Sequence, residues 1–286
     1  MADRGFVLVT GASRGLGRSL VLHLAERGFS VFAGVRRTSD GDGLLRSASG
    51  DIRPVLLDVT KAEDLSAAES VVRRATGGRL TGLVNNAGTY LLGPFEQTPV
   101  GDVERLFRVN VLGVVTVTQR FLPLLREVPG RIVNISSVNG KLSIPFTSFY
   151  SASKFGVEAL SDALRVELSP WNIHVSVVEP GAARTDIRAQ AVASWADRRA
   201  AMEPAELDLY APAFASLRDL IANIDQGAAD HQYVLEAVEH ALTADSPNTR
   251  YPAGPDMPQL MAMAALDDRD RDAALAKLIA RDNRTA

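Results

Sequence analysis

Phe6 to Thr10 reads FVLVT and runs directly into Gly11-Ala12-Ser13-Arg14-Gly15-Leu16-Gly17, after which helix-forming residues continue to about Arg27 and stop at Gly28. An apolar, β-branched run without polar alternation suits a strand covered on both faces of a parallel sheet. Strand, glycine turn and helix make the first half of a βαβ unit, so a parallel neighbour has to follow. Glycines at 11, 15 and 17 let the backbone come close to a diphosphate, which also meets the positive end of the helix. The spacing is G-x-x-x-G-x-G, so the common G-x-G-x-x-G dinucleotide fingerprint is not satisfied. The strand before the turn and the helix after it carry the assignment.

The same alternation continues. Strands are predicted at Phe29–Val35, Ile52–Leu57, Leu80–Val84, Arg131–Ser136 and Ile173–Val178, with Arg250-Tyr251-Pro252 as an edge strand that tolerates proline. Thr38 to Gly50 reads as a loop with at most a short helix, and Ala62 to Ala75 as a helix ended by Gly77-Gly78. Pro99 or Val100 to Leu125 reads as one long helix with Asn110 near its middle. Asparagine is a poor interior residue there, so local distortion or a buried polar task is expected. From this pattern the fold class is α/β, a single doubly wound domain over residues 1–286 with a mostly parallel sheet of about seven strands and helices on both faces. Within it, 186–227 reads as a helical lid or substrate-loop insertion and 255–286 as a C-terminal helical extension. Met257, Met261 and Met263 in that extension are expected to fill apolar gaps.

Strand ends facing the ligand edge hold the candidate cofactor residues. The second strand ends in Val35-Arg36-Arg37, with Arg14 in the glycine turn. Guanidiniums there suit a 2'-phosphate, whereas a carboxylate would suit a free ribose. Asp58-Val59 follows the third strand, where the aspartate meets an adenine amino group or caps the turn before Lys61. Asn85-Asn86-Ala87-Gly88 follows the fourth, with amides able to bridge strand ends or bind ribose. Glu179-Pro180-Gly181, then Thr185, follows the sixth.

Ser137 stands thirteen residues before Tyr150, and Tyr150 four before Lys154. On a helix Tyr150 and Lys154 share a face one turn apart. Positive charge beside a phenol favours its phenolate, which makes a proton donor and acceptor for an alcohol or carbonyl oxygen. Ile144, Pro145, Phe146, Phe149 and Trp195 are candidates for an apolar substrate pocket.

Composition removes other classes. A formal net charge of -3 and no run of Lys/Arg with interleaved aromatics argue against nucleic acid as a partner. The absence of cysteine excludes disulfides and thiolate sites, and four scattered histidines make no metal pattern, so no metal is expected. No stretch approaches an apolar membrane span and the N-terminus lacks signal-peptide features, so a cytoplasmic location is expected.

Taken together, Thr10-Gly11-Ala12-Ser13-Arg14-Gly15-Leu16-Gly17, Asp58, Asn85-Asn86-Ala87-Gly88, Asn110, Ser137, Tyr150-Ser-Ala-Ser-Lys154 and Pro180-Gly181 with Thr185 resemble the short-chain dehydrogenase/reductase family over roughly Gly5 to Thr185. The resemblance implies a Rossmann fold and a carbonyl–alcohol oxidoreductase, loosely nearest the hydroxysteroid and retinol dehydrogenase-like members. It implies Tyr150 as acid or base, Ser137 orienting the substrate oxygen, Lys154 holding the nicotinamide ribose and lowering the Tyr150 pKa, and Asn110 anchoring a water. The implied dinucleotide site comprises Gly11, Ser13, Arg14, Gly15, Leu16, Gly17, Arg36, Asp58, Val59, Asn86, Ala87, Gly88, Tyr150, Lys154, Pro180, Gly181, Ala183 and Thr185. Arg14 and Arg36 resemble the branch that prefers NADP(H) over NAD(H). A lipophilic ketone or a secondary or primary alcohol is the expected substrate, and a homodimer or homotetramer the expected assembly. An epimerase or dehydratase of the family, and a non-catalytic NADP(H) sensor or scaffold, stand as alternatives.

Overall fold

Short β-branched runs alternating with amphipathic ones become a single seven-stranded sheet in the computed structural model, which describes residues 4–182, 186–200, 202–203, 208–211, 215, 222 and 228–279. The strands are β1 (Phe6–Val9), β2 (Ser30–Val35), β3 (Ile52–Leu56), β4 (Gly82–Asn85), β5 (Arg131–Ile135), β6 (His174–Pro180) and β7 (Arg250–Ala253). Their order is β3-β2-β1-β4-β5-β6-β7, and every pairing is parallel. The order reverses between β1 and β4, which opens a crevice at the carboxyl ends of the strands, where open α/β sheets bind ligands.

Both faces of the sheet are covered, and period-two alternation decides which side chain goes where. Val7 and Val9 pack with Leu20, Val21 and Leu24 of helix α1 (Gly15–Glu26) and with Val234, Val238 and Leu242 of a helix late in the chain. Leu8, between them, points the other way. It joins Leu65 and Val72 of α3 (Ala62–Thr76) and Val117, Phe121 and Leu124 of α5 (Gly113–Arg126). The 38–50 stretch contains one short helix, α2 (Thr38–Leu45). Further helices among the described residues are α4 (Val100–Phe107), α6 (Ser148–Glu167), α7 (Asp186–Arg199), α8 (Gln232–Thr243), α9 (Met257–Ala264) and α10 (Asp268–Ile279).

Two expectations need revision. The long helix around Asn110 is not continuous, because a π-helical turn at Arg108–Leu112 separates α4 from α5. Strand β6 runs on through Pro180, two residues further than its apolar run indicates, because β7 pairs alongside it with Glu179 opposite Pro252 and Pro180 opposite Ala253. Pro252 has no N–H to give and sits on the sheet edge, as strand prolines do. Of the expected lid, 186–227, the structure describes α7 and short pieces beyond it. In the C-terminal extension Met257, Met261 and Met263 pack with Val138, Leu142 and Leu275, as gap-filling methionines should.

The sheet interior also holds a polar bridge. Asn85 and Asn134 lie opposite each other on β4 and β5, and Asn85 Nδ2 donates to Asn134 Oδ1 at 2.8 Å and to Thr118 at 3.1 Å. Asn134 Nδ2 donates onward to Ser161 Oγ of α6 at 2.8 Å. Asn134 is fully buried. Asn134→Ala removes two buried hydrogen bonds and leaves a small void, and is expected to lower unfolding stability by about 2 kcal/mol, read from urea denaturation midpoints at unchanged slope.

Candidate functional site

At the crevice, the glycine turn is built by strand-end polar groups. The Thr10 hydroxyl accepts from the amides of Asn86 and Ala87, both at 3.0 Å, and Asn86 Nδ2 donates to the carbonyls of Thr10 (2.9 Å) and Gly11 (3.2 Å). Asn86 therefore bridges β1 to β4, one of the two roles open to it. Gly17 is required by close approach, since a Cβ there would overlap the Gly11 carbonyl oxygen. Gly15 is required by conformation, with φ +53 and nothing within 4 Å of an added Cβ. The Arg14 side chain, at the N-cap, does not cap the first amides of α1, and the first turn holds no acidic residue. Uncapped amides, an open turn and the switch-point position fit the diphosphate of a dinucleotide.

Further along the crevice, Arg36 and Arg37 are exposed at the end of β2, and Arg37 is paired with Asp40 of α2. Asp58 takes the capping role: its Oδ1 accepts from the Thr60 amide (3.0 Å) and hydroxyl (2.7 Å). Burial works against the Asp58 carboxylate. The two Thr60 hydrogen bonds, with Arg36 and Lys61 nearby, nevertheless hold it below the ordinary carboxylate value. Val59 turns inward, where Gly113 at the head of α5 leaves room for it. Leu16 packs on the core, and Ser13 is half-buried beside Arg14. Arg14 Nη2 donates to Gln190 Oε1 of α7 at 2.7 Å, tying the glycine turn to the helix that follows β6.

Ser137, Tyr150, Lys154 and Asn110 come together beyond the end of β5. Ser137 caps a short 3-10 turn (Val138–Gly140), accepting from the Asn139 amide at 3.2 Å. Lys154 Nζ donates to the Ile135 carbonyl at 2.9 Å and lies 5.8 Å from the centre of the Tyr150 ring. Both residues are buried. Burial pushes the Tyr150 phenol up to about 12, against the pull of the neighbouring Ser137 hydroxyl and the Arg188 charge. Burial also pushes the Lys154 ammonium down to about 8, with the Glu158 carboxylate opposing. Desolvation is the largest influence on both groups.

Asn110 is almost wholly buried, and both ends of its amide are used. Oδ1 accepts from the Thr89 amide (2.8 Å), and Nδ2 donates to the Thr89 carbonyl (2.9 Å) and to Ser153 Oγ (3.1 Å). The π-helical turn aims this amide across to the loop after β4, which it clips to α6. Gly88 lies in the same place, where an added Cβ would be 3.5 Å from Asn110 Oδ1 and 3.9 Å from Lys154 Nζ.

Three residues absent from the expected site help hold it. Asn139 Nδ2 donates to Thr147 and Ser151 hydroxyls, each at 3.0 Å, locking the Ser137 turn to the start of α6. Asp256 accepts from the Ala182 amide at 2.8 Å and so holds the chain just after Gly181. Tyr90 packs on Tyr150 with ring centroids 4.2 Å apart. None sits in a motif with recognisable spacing. Pro180 and Gly181 lie at the crevice end of β6, whereas Ala183 and Thr185 lie outside the described residues.

The five candidate pocket residues do not form one wall. Phe146 and Trp195 gather with Tyr90 and Leu92, and Trp195 sits over Gly93, where an added Cβ would meet its ring at 2.9 Å. Phe149 stacks on Phe95 at 4.7 Å, and Ile144 packs toward the C-terminal extension with Pro145 beside it. The division follows from the 141–147 loop, which turns at Phe146 with φ 65 and sends neighbouring side chains to opposite sides.

The sequence profile described as short chain dehydrogenase matches residues 5–195. Retinol dehydrogenase 5 of Mus musculus is 36% identical over 293 residues, covering 98% of this chain and 90% of that protein. The mitochondrial D-beta-hydroxybutyrate dehydrogenase of Bos taurus is 40% identical over 262 residues, covering 86% of this chain and 75% of that one. The crystal structure of a short-chain dehydrogenase from Streptomyces avermitilis superimposes with a TM-score of 0.75 at 30% identity, covering 97% of this chain and 96% of the other.

Gly17→Ala drives a methyl group into the Gly11 backbone. It is expected to weaken reduced-dinucleotide binding about ten-fold or more, read by quenching of intrinsic fluorescence, with a lower melting temperature.

Proposed function

Because the chain belongs to the short-chain dehydrogenase family, and so is a nicotinamide-dinucleotide oxidoreductase, we propose that it interconverts a carbonyl and an alcohol on a lipophilic substrate, with NADP(H) preferred. The observation that carries this reading is the buried Tyr150 with the buried Lys154 ammonium 5.8 Å from its ring and anchored on the Ile135 carbonyl, beside the Ser137 turn at the crevice edge of β5. The dinucleotide, when bound, supplies or accepts the hydride. Everything else falls to the chain's own side chains.

In the reducing direction negative charge grows on the substrate oxygen. The Ser137 hydroxyl orients that oxygen and donates to it, and Tyr150 delivers its proton there. A phenol raised to about 12 holds its proton firmly until that charge develops. The Lys154 ammonium, anchored on the Ile135 carbonyl, keeps positive charge beside the phenol as the proton leaves. In the oxidising direction Tyr150 takes the proton back.

Residues 11–17, with uncapped amides at the start of α1, suit the diphosphate. The exposed Arg36, with Arg14 across the turn and no carboxylate ending β2, favours a 2'-phosphate over a free ribose. Tyr90, packed on Tyr150, and the Leu92, Phe146 and Trp195 with which it clusters support a lipophilic substrate rather than a small polar one. The names of relatives include both a retinol and a hydroxybutyrate enzyme, so the panel that tests this reading spans both chemistries.

Reduced-nicotinamide absorbance followed with all-trans-retinal, a 17-keto steroid and acetoacetate tests the assignment directly. Turnover confined to acetoacetate would overturn the lipophilic substrate. Tyr150→Phe is expected to lower kcat by roughly 10²- to 10⁴-fold with little change in KM. Arg36→Asp is expected to weaken NADPH use about ten-fold or more while sparing NADH, since it sets like charge against the phosphate. A native enzyme that prefers NADH would overturn the cofactor preference.

A further inference from the structure

The chain that leaves β6 at the crevice is held by three other segments. The Gly181 amide donates to the Ala253 carbonyl of β7 at 3.0 Å, the Ala182 carbonyl accepts from the Ala229 amide at 2.9 Å, and the Ala182 amide donates to Asp256 Oδ2 at 2.8 Å. The first two are backbone contacts that most sequences could make. The third needs an acceptor side chain at position 256.

Asp256 has a local role open to it and does not take it. It stands at the N-cap of α9, where aspartate is among the preferred residues because its oxygen can accept from the first free amides of the helix. Its side chain makes no capping hydrogen bond there and reaches back seventy-four positions to Ala182 instead. Oδ1 is buried with no hydrogen-bond partner among the described residues, which costs stability.

The glycines around this carboxylate make room for it. A Cβ on Gly181 would overlap both oxygens and the Cγ of Asp256, and one on Gly254 would come within 2.6 Å of Oδ1. Gly181 does not have the positive φ that favours glycine, so the close approach of Asp256 is what excludes a side chain there. The next residue, Met257, is 1% exposed and packs with Leu142 and with Val138, which directly follows Ser137. Asp256 and Met257 therefore touch the turns that follow two paired strands, β6 and β5.

Strand order decides which part of a dinucleotide meets the turn after β6. Arg36 lies beyond β2, the glycine turn beyond β1, and the Ser137 turn and the Lys154 anchor beyond β5. A dinucleotide with its adenosine at Arg36 and its diphosphate at residues 11–17 carries its nicotinamide half on toward β5 and β6. We propose that Asp256 is a positioning residue for that half: its carboxylate, seated in the space that Gly181 and Gly254 leave, fixes the chain at Gly181 and Ala182 beside which the nicotinamide lies. Asp256 acts through Ala182 and touches no reacting atom. The inference rests on the placement of the dinucleotide given above.

The experiment compares two ligands on the full-length protein by titration calorimetry. One is the reduced dinucleotide that it prefers, NADPH or NADH, and the other is the matching adenosine half alone, adenosine 2',5'-bisphosphate or AMP. Asp256→Ala is expected to weaken the whole dinucleotide about ten-fold, the scale of one lost charge-assisted hydrogen bond, and to leave the adenosine half unchanged. Asp256→Asn keeps an acceptor for the Ala182 amide and restores most of the affinity. Equal weakening of both ligands in Asp256→Ala marks a structural loss only and overturns the proposal. Native affinity for both in Asp256→Ala overturns it too, as does an Asp256→Asn protein no better than Asp256→Ala.

Gly181→Ala displaces the carboxylate, so alone it should match Asp256→Ala, and in the Asp256→Ala background it should add no more than about two-fold. A full further loss in that background would mean that Gly181 makes room for the cofactor itself, which overturns the proposal. A measurement on the native protein stands even where a variant does not fold: hydrogen exchange followed by NMR should find the Ala182 amide protected without any dinucleotide, and exchange at the free rate overturns the proposal. Gly17→Ala separates the two readings. Unchanged dinucleotide binding in Gly17→Ala removes the placement of the cofactor, whereas weakened binding there with native binding in Asp256→Ala removes this inference alone.

Discussion

Desolvation at the carboxyl edge of the sheet is the constraint around which the rest is arranged. A buried ammonium is costly unless it finds a partner, and Lys154 is held by the Ile135 carbonyl at the end of β5. That arrangement requires β5 and α6 to meet at a set depth. The Asn134 to Ser161 hydrogen bond inside the core and the Asn139 to Ser151 hydrogen bond at the rim fix that depth from two sides. The same burial that makes the ammonium costly raises the Tyr150 phenol, so acid strength here follows from how tightly strand and helix close.

Polar side chains at the strand ends do most of the assembly. Thr10, Asn86, Asn110 and Asn139 each satisfy backbone groups or hydroxyls that would otherwise be stranded where strands stop. Each also joins two segments distant in sequence: β1 with the loop after β4, the π-helical turn with that loop, and the Ser137 turn with α6. The site is therefore held by short neutral groups of low entropy, while its charged groups sit one layer deeper.

Much of this was legible before any coordinates. The strand runs are apolar and bounded by glycine, so all seven strands were found in order, and the resemblance singled out Ser137, Tyr150, Lys154 and Asn110 together. Asn110 announced itself as an anomaly, since an amide in the middle of an apolar helix must have a task. The π-helical turn that performs the task was not legible, because nothing in a local sequence distinguishes a bulge from a continuous helix. Asn139 and Asp256 were missed for a related reason: each acts through side-chain hydrogen bonds to another segment, which leave no motif spacing behind.

Local chemistry determined the order of the elements, the glycine turn and the shared helical face of Tyr150 and Lys154, since each depends on residues only a few positions apart. Tertiary structure alone decided the protonation balance. Whether Lys154 lowers Tyr150 depends on burial, and burial depends on what packs above the pair. Glu158 and Glu179 are twenty-one positions apart, on a helix and a strand, and only the closing of α6 onto β6 brings both to Lys141 and Arg250. The same closing divided the expected apolar wall, because the turn at Phe146 sends adjacent side chains toward different partners. Spacing along a chain sets which groups can be neighbours on one element, whereas solvent exclusion, which fixes their charge, is a property of the whole fold.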